Sequence, residues 1–164
     1  LDRVVYVGSF AKTLSADLRV GFIACNPELR ARFSDVKIVS CVSTSEFAER
    51  MVYLMLTEGH YRKLIERLQG RLADATSRTL RMLERAGLAP HGEPKGGMFV
   101  WAEVPGIGDA ARLASDAAAQ GIMLAPGSIF RPQPQASPFL RFNAAYALDK
   151  RLERYLGEAL PRLA

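Results

Sequence analysis

The chain has 164 residues, 49% of them hydrophobic and 24% charged, with 22 Lys and Arg against 17 Asp and Glu and a formal charge of +5. This is the composition of an ordinary globular domain, and no apolar run approaches the length of a membrane span. Basic residues alternate with acids, as in Arg30, Arg32, Asp35 and Lys37, so the chain lacks the Lys/Arg cluster interleaved with aromatics that a nucleic-acid module uses.

Arg3 to Val7 and Val20 to Ala24 are β-branched and aromatic, and read as two buried strands. Asn26-Pro27 fits a helix start, with Asn26 as N-cap and Pro27 at the first helical position, and the helix is predicted to end near Val36. Ser43-Thr44-Ser45-Glu46 reads as a capping box, with Ser43 as N-cap, for a helix that stops at Glu58-Gly59. Tyr61 to Ala86 is a long amphipathic helix whose stripe is Leu64, Leu68, Leu72, Ala75, Thr79 and Leu83.

The pattern changes at Gly87 to Gly92, which marks a domain boundary. After the turn Gly92 to Gly97, Met98 to Val104 alternates as a strand, with Phe99 and Trp101 on one face and Met98, Val100 and Ala102 on the other. Asp109 caps a helix to Gln120, and Ile122 to Leu124 is a short strand. Ala125 to Pro138 is a loop with four prolines and one glycine, Phe139 to Ala145 a strand, and a final helix begins at Leu148 or Asp149. The prediction is α/β with an α+β C-terminal part. Residues 1–86 are a partial large-domain α/β piece with a long linking helix. Residues 87–164 form a small sheet with helices on one face. Cys25 and Cys41 have neither CxxC spacing nor a histidine pair nearby, which predicts buried free thiols in a reducing cytoplasm. Neither His60 nor His91 is assigned to chemistry.

The chemistry concentrates between the first two strands. A lysine in a polar loop is ordinarily solvated, but Lys12 has Ser9 three residues before it, Thr13 and Ser15 after it, and Arg19 seven residues on. An amine beside a hydroxyl and a guanidinium suits a carbonyl cofactor that carries a phosphate.

Ser9-Phe10-Ala11-Lys12-Thr13-Leu14, followed by Leu18-Arg19-Val20-Gly21, resembles the cofactor-lysine motif of fold-type I pyridoxal-phosphate (PLP) aminotransferases. Gly96 to Trp101 resembles the first strand of their small domain, and Leu140-Arg141-Phe142-Asn143 resembles their carboxylate-binding arginine segment. Leu56 to Tyr61, and Phe130-Arg131-Pro132 leading to Phe139 to Asn143, look most like the aminotransferase-like domain of GntR/MocR-type transcriptional regulators.

The resemblance implies that Lys12 holds pyridoxal 5'-phosphate covalently, that Ser9 and Arg19 hold its phosphate, and that Arg141 pairs with an amino-acid carboxylate. Arg141 alone would read as a strand-edge arginine in a surface ion pair. Ala11 and Ala16 depart from the serine and proline common in the family, and Ala11 removes one possible hydroxyl near the cofactor. The family's aspartate, tyrosine and stacked aromatic ring on the cofactor all precede the lysine, whereas eleven residues precede Lys12 here. The chain is therefore expected to be the C-terminal part of a longer protein and not to transaminate by itself. Two functions share this fold: a regulator that senses PLP and an amino-acid-like effector, with DNA bound by a separate domain, and an amino acid aminotransferase. A homodimer is expected, with Phe47, Met51 and Met55 as a stripe for subunit or domain packing.

Overall fold

The computed structural model describes residues 3–133 and 135–163, which divide into two compact units, Leu1–Arg67 and Leu68–Ala164.

In the first unit, β1 (Tyr6–Ser9) pairs antiparallel with β2 (Gly21–Ala24), Tyr6 opposite Ala24 and Ser9 opposite Gly21. The expected buried strands are instead an exposed ribbon: Val7 is 68% exposed, and Tyr6, Phe22 and Ile23 are also open. Strand composition reports what a segment can pack against, but a two-stranded ribbon has two faces and two edges to cover. Gly21 is required by this pairing, because a Cβ there would lie 2.8 Å from the Gly8 carbonyl oxygen.

Helix α1 (Pro27–Cys41) starts as predicted, the Asn26 side chain accepting from the Leu29 N–H at 2.8 Å, but runs past Val36. No Gly or Pro interrupts Val36 to Cys41. Ser34 and Ser40 turn their hydroxyls back onto the carbonyls of Arg30 and Val36, so the polar groups are satisfied within the helix. The helix stops at Val42, whose φ of +58° a β-branched residue rarely adopts. No described residue of α1 is buried, so Cys41 is exposed and Cys25, just before it, half-buried, contrary to the buried thiols expected.

Helix α2 (Glu46–Thr57) is capped by Ser45, not Ser43, the Ser45 hydroxyl accepting from the Ala48 N–H at 3.3 Å. Thr44 binds the Glu49 carboxylate, and that hydrogen bond, with the Lys37 ammonium 3.6 Å away, holds the Glu49 carboxyl below its ordinary range. Ala48 and Val52 are the buried residues of α2, while Phe47 and Met51 face outward.

Helix α3 (His60–Arg85) follows the predicted stripe, with Thr79 and Leu83 fully buried. In the second unit, β3 (Ala89–Pro90), β4 (Phe99–Glu103), β5 (Ala125–Pro126) and β6 (Phe139–Asn143) form one antiparallel sheet in the order β3-β4-β6-β5. The two central strands match the predicted alternation. Val100, Ala102, Leu140 and Phe142 are buried on the inner face against Met82 and Leu83 of α3, Leu113 and Ala117 of α4 (Ala111–Ala119), and Leu152, Leu156 and Ala159 of α5 (Lys150–Leu163). This is the small sheet with helices on one face.

Both edge strands differ from expectation. Ala89-Pro90, read as part of a boundary, pairs with Ala102 and Glu103, and Pro90 fits there because an edge position needs no donor. Ile122 to Leu124 forms no ladder. Ile122 N–H closes the end of α4 on the Ala117 carbonyl at 2.9 Å, and Ile122 and Leu124 pack on the core, so pairing begins only at Ala125.

Tyr155 joins α5 to α4. Its ring is 3% exposed and its hydroxyl lies 2.8 Å from the Asp116 carboxylate and 3.0 Å from the Leu113 carbonyl. Burial first, and then the Asp116 carboxylate, push the phenol well above its ordinary value. A raised folded-state value means its contribution is complete below the unfolded phenol's pKa of about 10 and is lost as pH rises through the folded value. Tyr155→Phe should cost about 1 kcal/mol at neutral pH and flatten the loss of stability above about pH 10, as measured by denaturant unfolding across pH.

Candidate functional site

The lysine of the sequence motif sits on a tight turn that β1 and β2 hold closed. Phe10 N–H donates to the Val20 carbonyl at 3.0 Å, extending the ladder by one bond beyond Ser9–Gly21. The chain then coils, with the N–H groups of Thr13 and Leu14 both reaching the Phe10 carbonyl, at 3.3 and 2.8 Å. Lys12 stands exposed on this turn, free of any ion pair among the described residues.

Phe10 anchors the turn. It is buried between the rings of Phe22 and Tyr61, each with its centroid 5.6 Å away. The Tyr61 hydroxyl donates to Thr13 Oγ1 at 3.2 Å. Tyr61 thus grips the turn on both sides of Lys12, by ring contact at Phe10 and by hydrogen bond at Thr13. Sequence reading missed this role, because a tyrosine opening a helix carries no signal of its partner 48 positions earlier.

Ser9 Oγ accepts from the Ala11 N–H at 3.2 Å, which leaves the hydroxyl proton available to an external acceptor. Ser15 caps a 3-10 turn at Ala16–Leu18, its hydroxyl accepting from the Asp17 N–H at 3.3 Å. That turn ends at Arg19 with φ +51°, a left-handed conformation in a non-glycine residue, just where β2 begins. Ser9 and Arg19 therefore flank the lysine turn at its two strand ends. Arg19 is exposed and makes no ion pair among the described residues.

Arg141 belongs to the second unit. It lies mid-strand in β6, opposite Trp101 of β4 and Ala125 of β5, on the outer face of the sheet. Its guanidinium carbon is 4.1 Å from the ring centroid of Phe99 and 4.2 Å from that of Phe130. The expected alternative, an ion-paired strand-edge arginine, is absent among the described residues: no carboxylate or other acceptor meets its side chain. The aromatic wall continues with Trp101, stacked on Phe139 and edge-on to Phe130. His91 meets Phe139 edge-on, and His60 pairs with Glu58 at 3.2 Å; neither joins this cluster of charge.

Phe130 reaches Arg141 from a short turn at the start of the proline-rich segment. Residues Gly127–Phe130 form a 3-10 turn packed on Ser137, which is buried. A Cβ at Gly127 would collide with Ser137 Oγ and lie 3.2 Å from the Phe139 Cβ, so only glycine lets the turn seat there. Ser9, Lys12 and Arg19 thus lie along the β1–β2 connection of the first unit, and Arg141 on β6, a central strand of the second.

Over residues 1–158 the chain matches the family described as aminotransferase class I and II. It is 31% identical over 158 residues to the uncharacterized HTH-type transcriptional regulator YdfD of Bacillus subtilis (strain 168), covering 95% of this chain and 32% of that protein. The crystal structure of the multiple substrate aminotransferase from Thermococcus profundus superposes with a TM-score of 0.81 at 26% identity, over 100% of this chain and 40% of that one. LysN, the alpha-aminoadipate aminotransferase of Thermus thermophilus complexed with N-(5'-phosphopyridoxyl)-L-leucine, superposes with a TM-score of 0.76 at 31% identity, over 98% and 40%. The chain spans about a third to two-fifths of the length of these relatives. The family match runs over nearly the whole chain and takes in both the lysine turn and the strand that carries Arg141: the chain belongs to the aminotransferase class I and II family.

Proposed function

We propose that this chain is the cofactor-lysine and small-domain part of a PLP-binding sensor in an HTH-type transcriptional regulator. The residues present fit PLP. Lys12 offers an exposed amine, Ser9 a free hydroxyl proton, and Arg19 a guanidinium without a carboxylate partner among the described residues. Lys12 would hold the cofactor covalently, and Ser9 and Arg19 would hold its phosphate through charge-assisted hydrogen bonds. PLP, when bound, supplies an electron sink beside an amino acid's Cα. Arg141 would read the carboxylate of that amino acid, and Tyr61 would keep the Lys12 turn in place.

The observation that carries the regulator reading is the likeness to YdfD across 95% of the chain, which includes the stretches Leu56 to Tyr61 and Phe130 to Asn143. DNA contact would fall to a domain outside these residues, in a cytoplasmic homodimer. The open faces of β1, β2 and α1 support packing against further polypeptide. A second reading, an amino acid aminotransferase, is favoured by the 31% identity to LysN, whose structure holds a phosphopyridoxyl amino acid.

The intact protein decides between them. As a regulator it retains promoter DNA in a salt-dependent manner, its DNA affinity shifts when PLP and an amino acid are added together, and it makes no 2-oxo acid. Sustained 2-oxo acid production without DNA retention would establish the enzyme instead.

A further inference from the structure

We propose that Phe99 and Phe130 are positioning residues that clamp the Arg141 guanidinium between them, so that it offers only its N–H edge and selects a carboxylate over the corresponding amide. The inference rests on the reading of Arg141 as the carboxylate site and goes beyond it to what makes that arginine selective.

The distances define the arrangement. The guanidinium carbon lies 4.1 and 4.2 Å from the two ring centroids. In both contacts the guanidinium carbon lies over the ring, so both phenyl groups turn their faces to Arg141. Phe99 comes from β4 on one side of β6, and Phe130 from the turn that follows β5 on the other side, so the two rings flank the guanidinium. With both faces covered, the in-plane N–H fork is what remains to a ligand. Those donors meet no acceptor among the described residues, so the charge waits for one from outside.

The backbone makes the clamp rigid. Phe99 opens β4 two residues after Gly97, whose φ of +82° turns the chain toward the strand. Phe130 ends the 3-10 turn seated on Ser137 through Gly127. Arg141 itself stands between Trp101 and Ala125 in the ladder. A guanidinium restrained in this way pays little entropy on binding and meets a carboxylate in two parallel N–H···O bonds. An amide supplies one oxygen acceptor and sets an N–H₂ donor against the other prong of the fork.

The test uses the intact protein and saturation-transfer NMR titrations with propionate and propionamide. The wild type should bind propionate at least about tenfold more tightly than propionamide. Phe99→Leu and Phe130→Leu should each weaken propionate by about threefold to tenfold and narrow the preference over propionamide, with unchanged melting temperature. Phe99→Tyr and Phe130→Tyr, which keep the ring face, should restore both. Arg141→Gln should abolish the preference. If Arg141→Gln loses propionate while both leucine variants bind and discriminate like the wild type, the clamp is wrong and the carboxylate role of Arg141 stands. If Arg141→Gln binds propionate as well as the wild type, the carboxylate role fails and the clamp fails with it.

Discussion

Lys12→Ala in the intact protein should abolish covalent attachment of PLP. After borohydride reduction, mass spectrometry of the wild type should place one phosphopyridoxyl increment on the peptide containing Lys12, and the variant should carry none. The effect is all-or-none because the bond needs a nucleophilic amine at this position, and no other lysine lies on the Phe10–Leu14 turn. Lys12→Arg should behave as alanine does. It keeps the positive charge, but a guanidinium does not deprotonate to a nucleophile in a protein. Ser9 and Arg19 remain in both variants, and hydrogen bonds from such groups to an anion are worth about 1.5–3 kcal/mol each, so reversible PLP binding should persist while the covalent increment disappears. An increment that survives in Lys12→Ala would move the attachment site to another residue.

Arg141→Gln should weaken binding of the amino-acid ligand by about 2–4 kcal/mol, roughly 30-fold to 1,000-fold, while the Lys12 increment stays intact. The magnitude follows from removing a charged, two-pronged donor that no internal carboxylate already engages. Arg141→Lys should recover only part of it, because an ammonium is a point charge without the planar fork. Calorimetric titration of the PLP-loaded protein with a panel of amino acids measures the loss. Equal affinities in wild type and Arg141→Gln would show that Arg141 is a structural strand residue and that the carboxylate is read elsewhere.

The parts of the fold that were legible share one property: their cause lies within a few residues. The α3 stripe repeats at helical spacing, and Leu64, Leu68, Leu72, Ala75, Thr79 and Leu83 all turn inward to some degree. Val100, Ala102, Leu140 and Phe142 alternate because a pleated strand alternates. Asn26-Pro27 starts a helix because side-chain capping and a missing N–H are local matters. The cap expected at Ser43 was less legible: Thr44 accepts from the Lys37 ammonium and donates to the Glu49 carboxylate, and it is the Ser45 hydroxyl that accepts from the Ala48 N–H.

The candidate site divides in the same way. The spacing of Ser9, Lys12 and Arg19 places amine, hydroxyl and guanidinium on one short connection whatever surrounds it, so their placement could be read directly. Arg141 could be read as an arginine on a strand, but its surroundings could not. Phe99, Phe130 and Arg141 come from β4, a loop turn and β6, and they meet only through antiparallel pairing and through Gly127 seating on Ser137. Tyr61 reaches Thr13 for the same reason, across a long sequence separation.

By itself, the amino-acid sequence determined which segments are helix or strand in the central elements, and that Lys12 lies on the connection between the first two strands with Ser9 before it and Arg19 after it. Tertiary structure alone decided that β1 and β2 stand open, that two-residue edges complete the second sheet, that Tyr61 grips the Lys12 turn and that two rings flank Arg141. Periodicity, capping and side-chain chemistry act over one or two turns of chain, whereas burial, ladder register and ring contacts depend on which distant segments the fold brings to the same place.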